Sequence, residues 1–280
     1  MENKILREFI LRSLAEDLGD GDHSSLACIP EDTTGKAKLL IKEKGVLAGI
    51  RVAKELFTTI DKDLKLECIL DDGAFIVPGD IAFYLWGRTQ SILKSERLVL
   101  NIMQRMSGIA TSTNEYVVLL TGLKTKILDT RKTTPGLRFL EKEAVRIGGG
   151  LNHRMGLYDM VMLKDNHIDY AGGIGNSIRK TGEYLKRNKL NLKVEIEARN
   201  LEDVKTILSI GGIDRIMLDN FNIQDTQSAV SMIAGKYETE SSGGITLATI
   251  RSYAECGVDF ISVGALTHHI KSLDMSLKAL

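Results

Sequence analysis

The chain has 280 residues, 43% hydrophobic and 26% charged, a balance typical of globular proteins and long enough for two domains. Lysine plus arginine and aspartate plus glutamate are equal at 37 each, so nothing marks nucleic acid as the main partner, and any cationic site must be local. No apolar run approaches the roughly 18 residues of a membrane span. Cys28, Cys68 and Cys256 are scattered without a CxxC, which fits a reducing cytoplasm rather than a disulfide framework or zinc site.

The first segment, residues 3–18, carries Ile5, Phe9, Ile10, Leu14 and Leu18 near the helical period. It mixes charge into its apolar residues and lacks the h-region of a secretory leader, so a cytoplasmic location is expected. A turn-rich GDGDHSS follows. AKLLIK, GVLAG, LKLECIL and IAFYLW then read as strands punctuated by DDG and PGD, with RVAKELFTTI a helix between two of them. Residues 89–121 form a long helix with Ile92, Val99, Met103 and Met106 on one stripe. Gly108 is expected to interrupt it and to close a sheet-plus-helix domain spanning 1–108, onto which the tail 270–280 packs.

From there the rhythm changes. KILDT, DMVMLK, VEIEA, RIMLD, YETESS and VDFISV alternate with helices predicted near 137–147, 173–188, 200–209, 223–234 and 246–255. Strands and helices alternating at this spacing imply a parallel sheet with right-handed crossovers. Six or seven strands suggest a barrel or partial barrel over 109–269, with an open doubly wound sheet as the alternative.

In such a barrel the chemistry sits at the C-terminal strand ends. Those ends deliver Asp129 and then Arg131-Lys132, Lys164, Glu195 and Glu197, Asp219-Asn220, Ser242-Gly243-Gly244 and Gly264-Ala265-Leu266. Alternation along VEIEA places Val194, Ile196 and Ala198 on one face and both glutamates on the other, pointing into the barrel. There they either serve the site or form structural ion pairs. The two glycine-bearing ends suit a phosphate at the last two strand loops, although a plain turn capped by Ser242 remains open. Arg131, Lys132, His153, Arg154 and Lys164 would each be ordinary alone, but crowded together they call for a ligand with several negative charges. His153 could bind a carboxylate, act as acid or base, or be structural.

LDTRKTTPGLR, KEAVRIGGGLNHRMGLYDMVMLKDNH, VEIEA, IMLDN, SSGGI and ISVGAL, in that order, resemble the quinolinate phosphoribosyltransferase family. EDLGDGDHSS and ERLVLNIMQRMSGIAT extend the resemblance over most of the chain; His23 departs from it, standing where the family usually has an apolar residue. The resemblance implies an N-terminal α/β sandwich-like domain and an open seven-stranded α/β (TIM-like) barrel. It implies that quinolinate and phosphoribosyl pyrophosphate, with Mg²⁺, give nicotinate mononucleotide, pyrophosphate and CO₂. Arg131, His153, Arg154 and Lys164 should then hold the quinolinate carboxylates. Arg97 should reach the neighbour's site in a homodimer, with a hexamer of dimers as the alternative assembly. Lys132, Glu197 and Asp219 should face the phosphoribosyl group, with Glu197 and Asp219 on the metal side and Lys132, Lys164, Glu197 and Asp219 as the catalytic set. Ser242-Gly243-Gly244 and Gly264-Ala265-Leu266 should cradle the 5′-phosphate. Rival readings are a paralogue acting on another aromatic acid, a Schiff-base enzyme using Lys164 or Lys132, and an anion sensor without turnover.

Overall fold

The computed structural model describes residues 2–280, which fall into two compact units. The first unit runs to Ser112 and takes in Ile270–Leu280; the second is Thr113–His269. In chain order the first contains α1 (Glu2–Leu18), α2 (His23–Cys28), β1 (Thr34–Ile41), β2 (Gly45–Val46), α3 (Ile50–Ile60), β3 (Lys65–Cys68), β4 (Phe75–Ile76) and β5 (Ile81–Arg88). The long α4 (Thr89–Leu119) leads from the first unit into the second.

The second unit holds β6 (Lys126–Leu128), α5 (Arg138–Ile147), β7 (Val161–Leu163), α6 (Asp165–Ala171) and α7 (Ile174–Asn188). It continues with β8 (Val194–Ala198), α8 (Leu201–Ile210), β9 (Arg215–Asp219), α9 (Ile223–Ile233), β10 (Glu238–Ser242), α10 (Ile250–Glu255), β11 (Phe260–Ser262) and α11 (Ala265–His268). The last strand, β12 (Met275–Ala279), belongs to the first unit.

The first unit is an antiparallel sheet in the order β12-β1-β5-β3 with a helical layer. Alternation in β1 buries Ala37, Leu39 and Ile41, and α3 buries Val52, Ala53, Leu56 and Phe57. Phe57 meets Phe83 of β5 edge-on, with ring centroids 5.6 Å apart. Asp72, from the DDG turn, accepts the amides of Gly49, Ile50 and Arg51 and so satisfies the otherwise orphaned donors that start α3.

Two local expectations are corrected here. GDGDHSS is not only a turn: Asp22 accepts the Ser25 amide at 3.1 Å and caps α2. Gly108 does not interrupt α4, which runs through it unbroken. A Cβ at that position would lie 2.3 Å from the Lys271 carbonyl oxygen, so the glycine is there to let the C-terminal backbone pass.

The second unit is a parallel sheet in the order β6-β11-β10-β9-β8-β7. Strands β7 to β11 neighbour one another in sequence order and β6 closes onto β11, so the sheet curls in one direction. It has none of the reversal that defines a doubly wound sheet. The chain thus folds into an N-terminal sheet domain and a barrel-like α/β domain. The seventh strand reduces to an isolated bridge, Leu128 to Leu151, next to β6. Both turns of the chain just before α8 and α9 are fixed by Asn200 and Asn222, whose side chains accept the amides of Asp203 and Asp225. Among the described residues no helix is long and apolar enough to cross a membrane, and all three cysteines are free thiols.

Candidate active site

A cavity of about 780 Å³ opens where the strands of the second unit end. Its wall takes Thr130, Arg131 and Lys132 after β6, Lys164 after β7, and Glu197 from β8. Asp219 ends β9 and Asn220 follows it, Ser242 ends β10 and Gly243 to Thr246 follow it, and Gly264 and Ala265 follow β11. His153 and Arg154 enter from the loop between α5 and β7.

Each loop is short, and its local chemistry explains its course. Lys164 follows β7, and its amide donates to His167 Nδ1 at 3.0 Å, which helps to open α6. Lys164 Nζ contacts Glu197 Oε1, and the Asp165 amide donates to Glu197 Oε2 at 3.1 Å, so both glutamate oxygens are oriented by the β7 end. Asn220 adopts φ 57° and donates to Asp219 Oδ2 at 2.9 Å. The loop after β10 presses against it: a Cβ on Gly243, at φ 99°, would fall 2.1 Å from Asn220 Oδ1. Arg138, which the sequence reading passed over, ties the wall together by donating to Thr133 Oγ1 and the Met155 carbonyl, both at 3.0 Å.

The cationic side of the cavity is strained electrostatically. Burial first, and then the charge of Arg131, push the Arg154 guanidinium down from its ordinary pKa. Opposite them, burial and then the Glu197 charge push the Asp219 carboxyl up. Arg131 beside Arg154, and Glu197 beside Asp219, are like-charged neighbours whose repulsion a bound anion and a bound cation would lower. Glu197 and Asp219 supply hard oxygen donors of the kind Mg²⁺ takes, and so they fit that ion.

Beneath the cavity lies a buried polar layer. His153 Nε2 is 2.9 Å from Glu195 Oε2 and 3.4 Å from Glu240 Oε2. Arg215 Nη1 is 2.9 Å from Glu240 Oε2 and 4.0 Å from Glu195 Oε2. His153, Glu195 and Glu240 offer three donors within 4.8 Å of one another, but Arg215 already supplies the cation there. The layer is an ion network, not a metal centre.

The sequence matches the quinolinate phosphoribosyl transferase N-terminal domain over residues 22–107 and the C-terminal domain over residues 109–278. The chain belongs to the quinolinate phosphoribosyltransferase family. It is similar to quinolinate phosphoribosyltransferase [decarboxylating] 2b, mitochondrial, of Nicotiana tabacum, at 44% identity over 98% of this chain and 82% of the relative. It is also similar to the probable nicotinate-nucleotide pyrophosphorylase [carboxylating] of Bacillus subtilis, at 41% identity over 98% of this chain and 92% of that one. Among solved structures, the nicotinate-nucleotide pyrophosphorylase from Francisella tularensis superposes with a TM-score of 0.93 at 41% identity, covering 99% and 97% of the two chains.

For a quinolinate phosphoribosyltransferase, the placement of the expected residues is informative. Arg131, Lys132, His153, Arg154, Lys164, Glu197, Asp219, Ser242, Gly243, Gly244, Gly264 and Ala265 all line the one cavity. Leu266 does not: its side chain is fully buried in the core, and only its neighbours reach the wall. Arg97 lies exposed on α4 in the first unit, outside this wall. His153 lines the cavity as expected. Its Nε2 stands 2.9 Å from Glu195 Oε2, and its Nδ1 accepts the Arg154 amide at 2.6 Å. The residue therefore also orients Arg154. Glu240, Ser262 and His268 also line the cavity and were not expected. Glu240 carried a readable signal, since YETESS alternates as VEIEA does and points its glutamates to alternate positions of the same face.

Proposed function

We propose that this chain transfers the phosphoribosyl group of phosphoribosyl pyrophosphate to quinolinate and releases CO₂, forming nicotinate mononucleotide and pyrophosphate. The observation that carries this reading is the gathering of Arg131, Lys132, Arg154 and Lys164 with Glu197 and Asp219 around one cavity. A pyridine with two carboxylates needs the cations; a sugar diphosphate with its metal needs the carboxylates as well.

Arg131 and Arg154 present planar forks to the two carboxylates of quinolinate, with Lys164 as a compact charge between them and the ribose side. That arrangement aims the ring nitrogen, which carries no proton and requires no base, at C1 of the ribose. The nitrogen–C1 bond forms as the bond from C1 to the pyrophosphate oxygen breaks, and orientation of the two substrates supplies several of the roughly 7–11 kcal/mol available from this source. The ring nitrogen is then cationic, so the 2-carboxylate leaves as CO₂ and its electron pair remains on C2, where a proton is taken up. Glu197 and Asp219 would hold Mg²⁺ through water and the diphosphate, and the ion supplies charge neutralisation of the leaving group. Lys132 faces the same group. The Ser242-Gly243-Gly244 and Gly264-Ala265 backbones take the 5′-phosphate, because glycine there lets amides approach an anion closely.

The reading includes a homodimer in which Arg97 of each protomer completes the other's site, and a cytoplasmic location. Pyrophosphate release measured with quinolinate, and separately with nicotinate, tests the function. Turnover with quinolinate accompanied by equimolar CO₂ supports it; turnover with nicotinate alone would make the chain an acceptor-shifted paralogue.

A further inference from the structure

The loop that carries Arg154, residues 148–160, has no helix or strand of its own beyond the Leu151 bridge. Its course is set from the inner side by an ion pair that is fully buried, Lys142 of α5 against Asp129 after β6. That pair grips the peptide of His153 at both ends. The His153 amide donates to Asp129 Oδ1 at 2.8 Å, and Lys142 Nζ donates to the His153 carbonyl at 3.0 Å. With its amide nitrogen turned to its acceptors, Asn152 donates to Asp129 Oδ2 at 2.8 Å and to the Lys142 carbonyl at 2.9 Å. The next amide, that of Arg154, donates to His153 Nδ1, and Arg154 Nη1 donates to the Met160 carbonyl at 3.2 Å. From Asn152 to the Arg154 amide, each contact named here leads to Asp129 or Lys142 directly or through His153, and the guanidinium is held separately by the Met160 carbonyl.

Burying two charges costs desolvation that apolar residues of the same volume would avoid, so the pair is poorly explained by stability alone. What it supplies is a defined backbone in a segment without secondary structure. We propose that Asp129 and Lys142 are positioning residues for Arg154, setting the affinity for the dicarboxylate substrate without touching it. This rests on the quinolinate reading above.

Two double variants of the full chain carry the same charge and differ in one donor. Asp129→Asn with Lys142→Gln retains a group that can donate to the His153 carbonyl; Asp129→Asn with Lys142→Met does not. The Gln form should keep the KM for quinolinate within about threefold of the parent, and the Met form should raise it about tenfold or more, with the KM for phosphoribosyl pyrophosphate unchanged. Amide hydrogen exchange in the ligand-free protein should be faster across residues 151–156 in the Met form alone. Equal shifts in both KM values, or unaltered exchange in 151–156, would overturn the proposal. If the Met form does not fold, Asn152→Ala, at a half-buried position on the same grip, should raise the quinolinate KM about threefold and leave the other substrate alone. No change in that variant would also overturn it. If the parent does not turn over quinolinate, the functional reading fails while the exchange comparison still decides the clamp.

Discussion

His153 Nε2 stands 2.9 Å from Glu195 Oε2 while its Nδ1 accepts the Arg154 amide. The Glu195 and Glu240 carboxylates raise the imidazole's proton affinity against its burial, but a second proton on Nδ1 would meet the Arg154 N–H head-on. The extra proton of this network therefore resides on the carboxylate side. Burial, and then the charge of Glu240, push the Glu195 carboxyl above its ordinary value.

That assignment fixes a sign. A carboxyl whose folded pKa lies above its ordinary 4.5 contributes stability that is full below 4.5 and is lost as pH rises through the raised folded value. Glu195→Gln, which mimics the protonated acid, should unfold in urea like the parent at pH 4.5 and be the more stable protein at pH 8. A variant less stable than the parent at pH 8 would show Glu195 to be needed as an anion.

Arg154→Ala leaves the Asn152 and His153 contacts in place and removes the guanidinium with its bond to the Met160 carbonyl. Loss of a charge-assisted fork from a bound carboxylate costs roughly 2–5 kcal/mol, so kcat/KM for quinolinate should fall by a factor of about 30 or more. The thermal midpoint should stay within a few degrees of the parent. Near-parental turnover in a folded variant would remove Arg154 from the substrate wall.

Much of this site was legible in the sequence because barrel geometry converts strand ends into neighbours. Once KILDT, DMVMLK, VEIEA and RIMLD are read as parallel strands, Arg131, Lys164, Glu197 and Asp219 must share a rim. What the sequence did not reveal are partnerships decided in three dimensions. Lys142 sits mid-helix like any surface lysine, and only the fold shows it fully buried against Asp129. His153 could be placed at the cavity from its sequence, but not its neighbours Glu195 and Glu240, which approach its ring from strands far along the chain. Gly108 looked like a helix breaker because its true reason, the passing Lys271 backbone, is remote in sequence.

The paired glycines after β10 give a steric test. Gly243 has φ 99°, and an added Cβ would fall 2.1 Å from Asn220 Oδ1 and 3.0 Å from the Asn220 backbone nitrogen. Gly243→Ala must displace the loop or Asn220, so the KM for phosphoribosyl pyrophosphate should rise about tenfold with the quinolinate KM little changed. Equal effects on both substrates would place the 5′-phosphate elsewhere.

Asp219 tests the metal side. Asp219→Asn removes the charge that Glu197 opposes while keeping the shape. The Mg²⁺ concentration for half-maximal rate should rise at least about tenfold, and chelation of divalent ions should abolish turnover in the parent. An unchanged Mg²⁺ requirement in Asp219→Asn would assign the ion to other groups.

Arg97 is exposed on α4 and the cavity wall is built without it, so its role must be tested across two protomers. Arg97→Ala and Lys164→Ala chains should each be nearly inactive alone. In a mixed dimer the Arg97→Ala protomer supplies Lys164 and receives an intact Arg97, so one of the two sites is whole. Two-fold symmetry then sets the recovery at about half the parental rate per dimer. Mixed dimers verified by mass that recover no activity would confine Arg97 to its own protomer's surface, and a parent that remains monomeric at assay concentration would do the same.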